Sequence, residues 1–525
     1  MAFLTALFDR FCRASISFPL LACLVFIFAV TDMFFVGAPF YFVDSDSWEH
    51  SAALAELIRS PLHPYNPHVA SHEPSPRFMP LFVFAGWIGN LLQADVFSVY
   101  RSLTIFNLAL LLLGLYLFAI AYFEEKGAPT VLLLMTLFAW GNALVWSNTL
   151  ALRSLAFVSA YPSTAAMGLM FLLWFLVIRF YRLPPARNVI PRTLAILLLM
   201  ALVLLTHVLT GVIAAGGVLL LALTQQPPST LRRVIPALAI PCAFLLIELW
   251  PYYSTVGFLL PSTDPNAAWS LSSGAPSSES RFQKLSQGHP FYQPERVFPA
   301  LGIALLAIPV SLWQVARRQH LFAFLGIFGL LSIYLLNLFK GIPLGHRSLL
   351  FSVVFGHIAL TAYLLGTLRA FRDMGKPIQA VIAVGILCLG ILVGLSLATF
   401  RAIERHQSPT NIIATYTTLL KGLGPEHVVM GESYDTWPSP TFAGKTVALF
   451  HINPLVEDRK QRNLDVASFF SVEADHQLRS TLIQKYNVTH LLLRPDKPNH
   501  QGLSSMCQPG TKRQQGSLML CKVQA

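Results

Sequence analysis

Long apolar runs separated by short polar loops fill the first 400 residues. A spanning helix needs about 20 apolar residues. Runs of that order lie at 16–36, 102–123, 128–146, 158–180, 193–208, 210–224, 234–250, 298–316, 321–338, 348–368 and 377–399. They predict about eleven transmembrane helices. One further run, 79–93, is shorter and is interrupted by Gly86 and Gly89. Hydropathy alone leaves it either as a span or as a helix lying at the interface. The pair at 193–224 is short and carries His207 at its tip, a pattern that suits helices lining a cavity.

Three polar segments interrupt or follow these runs. The first, 37–101, holds a helix-like stretch at 48–59, a Pro/His-rich stretch at 63–68 and the 79–93 run. The second, 251–297, is rich in Ser, Pro and aromatic residues. The third, 401–525, has strand-like runs at 427–430, 447–450 and 488–493 and a helix-like run at 473–485. Strands alternating with a helix predict a small α/β domain with a parallel sheet. The expected fold class is a polytopic α-helical membrane bundle over 1–400, followed by a C-terminal soluble α/β domain over 401–525.

Composition agrees with that pattern. The chain is 54% hydrophobic and 12% charged, where a soluble domain averages roughly 25% charged residues. The net charge of +12 does not point to nucleic acid, because the basic residues form no stripe. They sit in short loops, as the positive-inside rule requires. If 79–93 does not cross, Arg10, Arg13, Lys126, Arg179, Arg182, Arg187, Arg192, Arg232, Arg233, Arg317, Arg318, Arg369, Arg372 and Lys376 all fall inside. If it crosses, the later clusters move outside. The charge bias therefore predicts eleven spans, a cytoplasmic N-terminus and an extracytoplasmic C-terminal domain. The expected location is the inner (cytoplasmic) membrane. No small-residue cleavage site follows the basic N-terminus, so the first helix is read as retained.

The six cysteines form no disulfide framework. Cys12, Cys23, Cys242 and Cys388 lie in or beside apolar runs and read as small hydrophobes. Cys507 and Cys521 lie in the polar tail and enclose a segment able to turn back as a hairpin. They are expected to pair in an oxidising outer compartment. No Cys/His spacing suits zinc, and there is neither a phosphate loop nor a dinucleotide fingerprint.

The candidate chemistry collects at the expected outer surface. Asp44-Ser45-Asp46-Ser47-Trp48-Glu49-His50 follows the first span directly. Acids beside a bilayer are costly and tend to be functional. Asp46, and behind it Asp44, could serve as a general base or help hold a divalent cation on a diphosphate donor. Asp46 could equally cap the 48–59 helix, with Glu49 complementing its dipole. Arg77 sits where the loop re-enters the membrane, against the charge rule, and a phosphate would compensate it. Lys340, His346 and Arg347 form a second outward basic group, with Arg347 at the start of a helix. Glu248, at the outer end of a span, and His207 are further substrate-binding candidates. His72 and Glu73 are weaker ones.

On these residues the chain resembles the GT-C superfamily of integral-membrane glycosyltransferases. Asp46-Ser47-Trp48 resembles the D-P-W/Y element of oligosaccharyltransferase catalytic subunits. It also resembles the D-E pair that opens the loop in protein O-mannosyltransferases and lipid A aminoarabinose transferases. Arg77-Phe78-Met79-Pro80-Leu81 is similar to the K-P-P-L element of the aminoarabinose transferases, with arginine for lysine and one residue inserted. Thr441-Phe442-Ala443-Gly444-Lys445 and the 479–493 stretch look like the soluble tails of bacterial members.

The resemblance implies a first outer loop carrying the catalytic acid, either Asp44 or Asp46. It implies transfer of a sugar from a polyprenyl-phosphate donor to a glycan, lipid or protein acceptor, with inversion. Membrane lipid is a further partner. No resident cofactor is certain, and Mg or Mn is the candidate cation. The tail is expected to cover the cavity or dock the acceptor without holding a catalytic residue. Two other readings stand beside this one. A lipid or polysaccharide transporter, or an assembly protein, should show repeats or broken, charged helices near the midplane, and none is visible. An O-antigen ligase or polymerase places its long loop late, whereas here the first loop is the longest.

Overall fold

The computed structural model describes residues 17–36, 40, 46–141, 147–182, 189–225, 229–255, 257, 293–340, 345–373, 412–451, 453 and 455–524. The chain forms two compact units. The first comprises Met1–Val36, Thr104–Leu249 and Leu271–Gln407; the second comprises Gly37–Leu103, Trp250–Ser270 and Ser408–Ala525.

The apolar runs become helices. Seven among the described residues are long and apolar enough to cross a membrane: Ser17–Phe34, Val96–Phe123, Pro162–Arg182, Val189–Thr206, Thr230–Ile247, Glu295–Ala316 and Gly345–Ala370. Four shorter apolar helices accompany them: Pro80–Leu91, Ala128–Phe138, Val208–Thr224 and Leu321–Asn337. The expected spans at 128–146, 210–224 and 321–338 thus correspond to shorter helices, as does the 79–93 run, which was not expected to cross. The expected span at 377–399 and most of the 251–297 loop lie outside the described residues.

The first unit is organised around Trp174. Its indole packs against Phe118, Phe322 and Phe355 at ring distances of 5.7, 5.4 and 5.4 Å. Its N–H donates to the Ala214 carbonyl at 3.0 Å. Small residues let the helices close in, as they do wherever apolar helices pack tightly. A Cβ added at Gly114 would lie 2.3 Å from the Gly168 carbonyl oxygen.

In the second unit, helix Ser47–Arg59 lies against helix Pro80–Leu91. Gly86 makes the contact possible, since a Cβ there would meet the Leu57 Cβ at 2.5 Å. Trp48 is fully buried, with Phe40 and Phe442 at ring distances of 4.9 and 5.9 Å. The C-terminal stretch supplies a five-stranded sheet: β1 Val428–Met430, β2 Lys445–Thr446, β3 His490–Leu493, β4 Arg513–Gln515 and β5 Leu518–Lys522, in the order β2-β1-β3-β5-β4. The expected parallel sheet is found only in part. Strand β1 pairs in parallel with β2 and β3, but β5 runs antiparallel to both β3 and β4. For β4 and β5 the reason is the tight turn at Gly516 (φ +59°) that joins them. So short a connection can join only antiparallel neighbours.

Helices Arg459–Phe469 and His476–Lys485 bring Phe469 and Leu482 into the same core as Val428, Met430, Leu491 and Met519. The first of these helices had no counterpart in the sequence reading. Cys507 and Cys521 are disulfide-bonded, with their Cα atoms 5.6 Å apart.

The tail and the first loop are knitted together within this unit. Lys445, 6% exposed, donates to Glu56 Oε2 at 2.8 Å and to the Asn66 carbonyl at 2.6 Å. The Thr446 N–H donates to the His68 carbonyl at 2.6 Å. Val69 packs with Leu449 and Val456. Ser51 and Thr441 share a hydroxyl contact of 2.7 Å.

Candidate active site

The site begins at the N-terminus of helix Ser47–Arg59. Asp46 occupies the N-cap position, where an aspartate usually accepts from first-turn N–H groups. Its side chain makes no capping bond; only its main-chain oxygen is used, by the His50 N–H at 3.2 Å. The carboxylate turns instead to His451, whose Nε2 lies 2.8 Å from Oδ1. Both partners stay accessible, Asp46 at 42% and His451 at 36% of the side chain. Trp437 and Phe450 hold the imidazole in place, with ring centroids 4.6 and 5.1 Å away.

Three residues further on, Glu49 is buried behind this pair. Its Oε1 accepts from the Trp437 indole at 3.0 Å. Its Oε2 lies 3.0 Å from His68 Nε2 and 3.6 Å from Arg77 Nε. The two imidazole contacts are ion-pair distances whose angles fall short of a hydrogen bond. Ser47, His50 and Tyr100 complete the polar surroundings, all buried and all engaged.

Burial alone would push both carboxyls up. At Asp46 the contact and charge of His451, followed by Arg77 and His50, overcome burial and hold the group at about 2. At Glu49 His68, then Arg77 and His451, hold the carboxyl well below the usual range. A carboxyl depressed by folding stabilises the fold above its unfolded value and ceases to do so as pH falls through its folded value. The second unit should therefore weaken progressively as the pH drops below about 4.5, the ordinary glutamate value. Melting temperatures between pH 6 and pH 3 test this. Glu49→Gln should flatten the dependence, and an unchanged slope in that variant would contradict the assignment.

Arg77 joins the Asp46 neighbourhood as expected, but the charge that compensates it here is Glu49. Asp44 lies outside the described residues. His346 and Arg347 form a short turn, Gly345–Arg347, ahead of helix Ser348–Asp373 in the first unit, and both are engaged. Lys340 ends helix Leu321–Lys340, and its side chain is outside the described residues. Glu248 is the C-cap of helix Thr230–Ile247. His207 is the N-cap of helix Val208–Thr224, and its Nδ1 accepts from the Thr210 N–H at 3.2 Å. Glu73 accepts from Ser71 Oγ and from the Glu457 N–H, while His72 packs on Tyr65.

Sequence reasoning missed His451, His68 and Trp437. All three look like ordinary polar-segment residues until the fold brings them to one helix end. It also passed over Asp32, 6% exposed in the π-helical turn Asp32–Val36. An acid inside the first apolar run was a visible signal.

The described donors do not fit a divalent cation. Asp46 and Glu49 are each already countered by imidazole or guanidinium. No group of three or more His, Cys, Asp or Glu with metal-holding geometry forms among the described residues.

This arrangement sits on a known architecture. The chain superimposes on the crystal structure of the Archaeoglobus fulgidus oligosaccharyltransferase tethered to an acceptor peptide containing the NVT sequon. The TM-score is 0.54 at 12% identity, over 91% of this chain and 68% of that one. It matches equally the archaeal oligosaccharyltransferase AglB of the same organism in complex with an inhibitory peptide and a dolichol-phosphate, covering 69% of that chain at 12% identity and TM-score 0.54. These likenesses show that the chain shares the fold of the archaeal oligosaccharyltransferase. No family model and no curated protein matches the sequence.

Proposed function

We propose that this chain is a membrane glycosyltransferase that moves a sugar from a polyprenyl-phosphate donor to an acceptor on the outer face of the membrane. The observation that carries this reading is the accessible Asp46–His451 pair at the start of the first-loop helix. Asp46 forgoes the cap that its position offers, which leaves it available for chemistry. The fold adds support: its relatives include a protein bound to dolichol-phosphate, a polyprenyl phosphate, and one tethered to an acceptor peptide. A transporter's substrate and ion sites lie among broken helices near the midplane, whereas this pair lies outside the apolar helices.

In this reading the pair activates an acceptor hydroxyl, which displaces the donor phosphate from the anomeric carbon with inversion. In the second unit Arg77 is the candidate for donor phosphate; in the first, Lys340, His346 and Arg347 are the candidate phosphate group, with Glu248 and His207 as secondary candidates. Eleven spans, with 79–93 along the outer leaflet, place the N-terminus inside. Residues 1–400, with loops 37–101 and 251–297, form the membrane domain that carries Asp46, and the extracytoplasmic 401–525 adds His451. The acceptor is a glycan, lipid or protein.

The test is a transfer assay. The purified chain in lipid nanodiscs is given synthetic polyprenyl-phosphate hexoses and candidate acceptors, and release of polyprenyl phosphate is measured. Failure to consume any donor of this class would overturn the proposal. Arg347→Ala should weaken donor binding by about 1.5–3 kcal/mol, the worth of a charge-assisted bond. Lysine should rescue it only in part, lacking the planar fork. Unchanged donor affinity would leave Arg347 a membrane anchor.

A further inference from the structure

The tail domain was expected to cover or dock, not to react. The geometry says otherwise, because His451 comes from the tail and stands on the one accessible carboxylate of the first-loop helix. We infer that His451 is the proton acceptor of the transfer reaction and that Asp46 is its positioning residue. The inference rests on the glycosyltransferase reading and assigns the roles within its site.

Three observations support it. The first is orientation. Nε2 faces Asp46 Oδ1 at 2.8 Å. A proton held on Nε2 leaves Nδ1 as the lone-pair nitrogen of the neutral ring. A carboxylate that fixes an imidazole tautomer is the arrangement by which such rings become effective bases. The angle at Nε2 is loose here, as catalytic contacts often are before substrate arrives.

The second is support. The ring is clamped edge-on by Trp437, and the Trp437 indole N–H is itself anchored on buried Glu49 at 3.0 Å. Glu49 is thus tied to His451 through the indole, which fixes the ring without touching substrate. His451 remains 36% exposed, so an acceptor can reach it.

The third is basicity. General-base efficiency is greatest when the base titrates near the working pH. Asp46 is held at about 2 by its surroundings, far from neutrality. Imidazole is the side chain whose ordinary titration falls in the physiological range. Asp46 and Glu49 both feel the His451 charge, and His50, His68 and Arg77 act in turn on one or both of these carboxylates. Their charges act together on the pair, so the pH profile reports the cluster and not an isolated imidazole.

The step balances. The acceptor O–H bond breaks as its oxygen bonds to the anomeric carbon. The bond from that carbon to the donor phosphate oxygen breaks, and its electron pair leaves on the phosphate. The proton rests on His451 Nδ1 while Asp46 holds Nε2–H, and it is then passed to the released phosphate or to water.

The experiment uses the full chain in nanodiscs with a radiolabelled polyprenyl-phosphate hexose, comparing wild type, Asp46→Asn, His451→Gln and His451→Ala across pH. His451→Gln keeps the volume and one N–H, but cannot accept the proton. Its turnover should fall by about 10²–10³-fold with little change in KM, and the acidic limb of the profile should disappear. Added imidazole should restore His451→Ala, with rescue rising as free-base imidazole rises. Near-normal turnover in His451→Gln with the acidic limb intact, while Asp46→Asn is dead, overturns this inference and leaves the glycosyltransferase reading standing. Loss in both His451 variants with no rescue and lowered melting temperatures also overturns it, reducing His451 to a structural contact. No donor consumption by the wild type overturns the parent reading and this inference together.

Discussion

Asp46→Asn should abolish sugar transfer, with turnover falling by about 10³–10⁴-fold, while donor affinity and melting temperature hold. The substitution removes a charge and barely changes shape. Stability should survive, because the carboxylate is 42% exposed and its contact with His451 is screened by solvent. Chemistry should not survive. The asparagine amide can turn its NH₂ toward His451 Nε2, which places the ring proton on Nδ1 and blocks that nitrogen as a base. The magnitude is that seen when an aspartate supporting a catalytic imidazole becomes asparagine. Donor binding should hold, because Arg77 keeps its own counter-charge in Glu49. Turnover and donor affinity measured on the same preparation check this. Asp44→Asn should be milder. If Asp46→Asn kept near-normal turnover and Asp44→Asn did not, the reactive acid would move by two residues.

How much of this was legible follows the range of each interaction. The apolar helices were readable because their signal is local: a run of some twenty apolar residues needs no distant partner. Helix Ser47–Arg59 was readable for the same reason, and Asp46 stood out as an acid at its start. What Asp46 does there was not readable. The choice between capping its own helix and meeting His451 depends on a residue about 400 positions away. Glu49 reads in the sequence only as a complement to the helix dipole, because a glutamate in a first helical turn has a sufficient local explanation. Only the fold shows it buried under Trp437, His68 and Arg77. Arg77 illustrates the converse. Its need for a counter-charge was visible in the sequence, and Glu49, half a loop away, was not recognised as the group that meets it. In the tail, the strand signals of β1 and β3 were clear, while β2 proved only two residues long and displaced from the apolar run at 447–450. Lys445 stands in a polar segment whose sequence gives no sign of burial, and its side chain is only 6% exposed in the fold.

That lysine should yield the largest stability effect. Lys445→Met should destabilise the second unit by about 3–5 kcal/mol, the usual cost of breaking a buried ion pair from one side. Lys445 and Glu56 are 6% and 5% exposed, and Lys445 Nζ also serves the Asn66 and Pro67 carbonyls. Glu56 would keep Arg59 at 2.9 Å and the Tyr65 N–H at 3.2 Å, which argues for the lower end of that range. Replacing both partners with apolar residues of similar size, as in Lys445→Met with Glu56→Leu, should recover most of the loss, because no uncompensated charge is then left inside. Thermal unfolding of the wild type, both single variants and the double variant closes the cycle. The same four proteins bear on the site. Lys445 opens β2, six residues before His451, and it fastens that segment to the helix that begins at Asp46. Turnover should therefore drop in Lys445→Met and return in the double variant along with stability. Recovery of stability without turnover would mean that the lysine positions His451 by its charge and not by holding the segment in place.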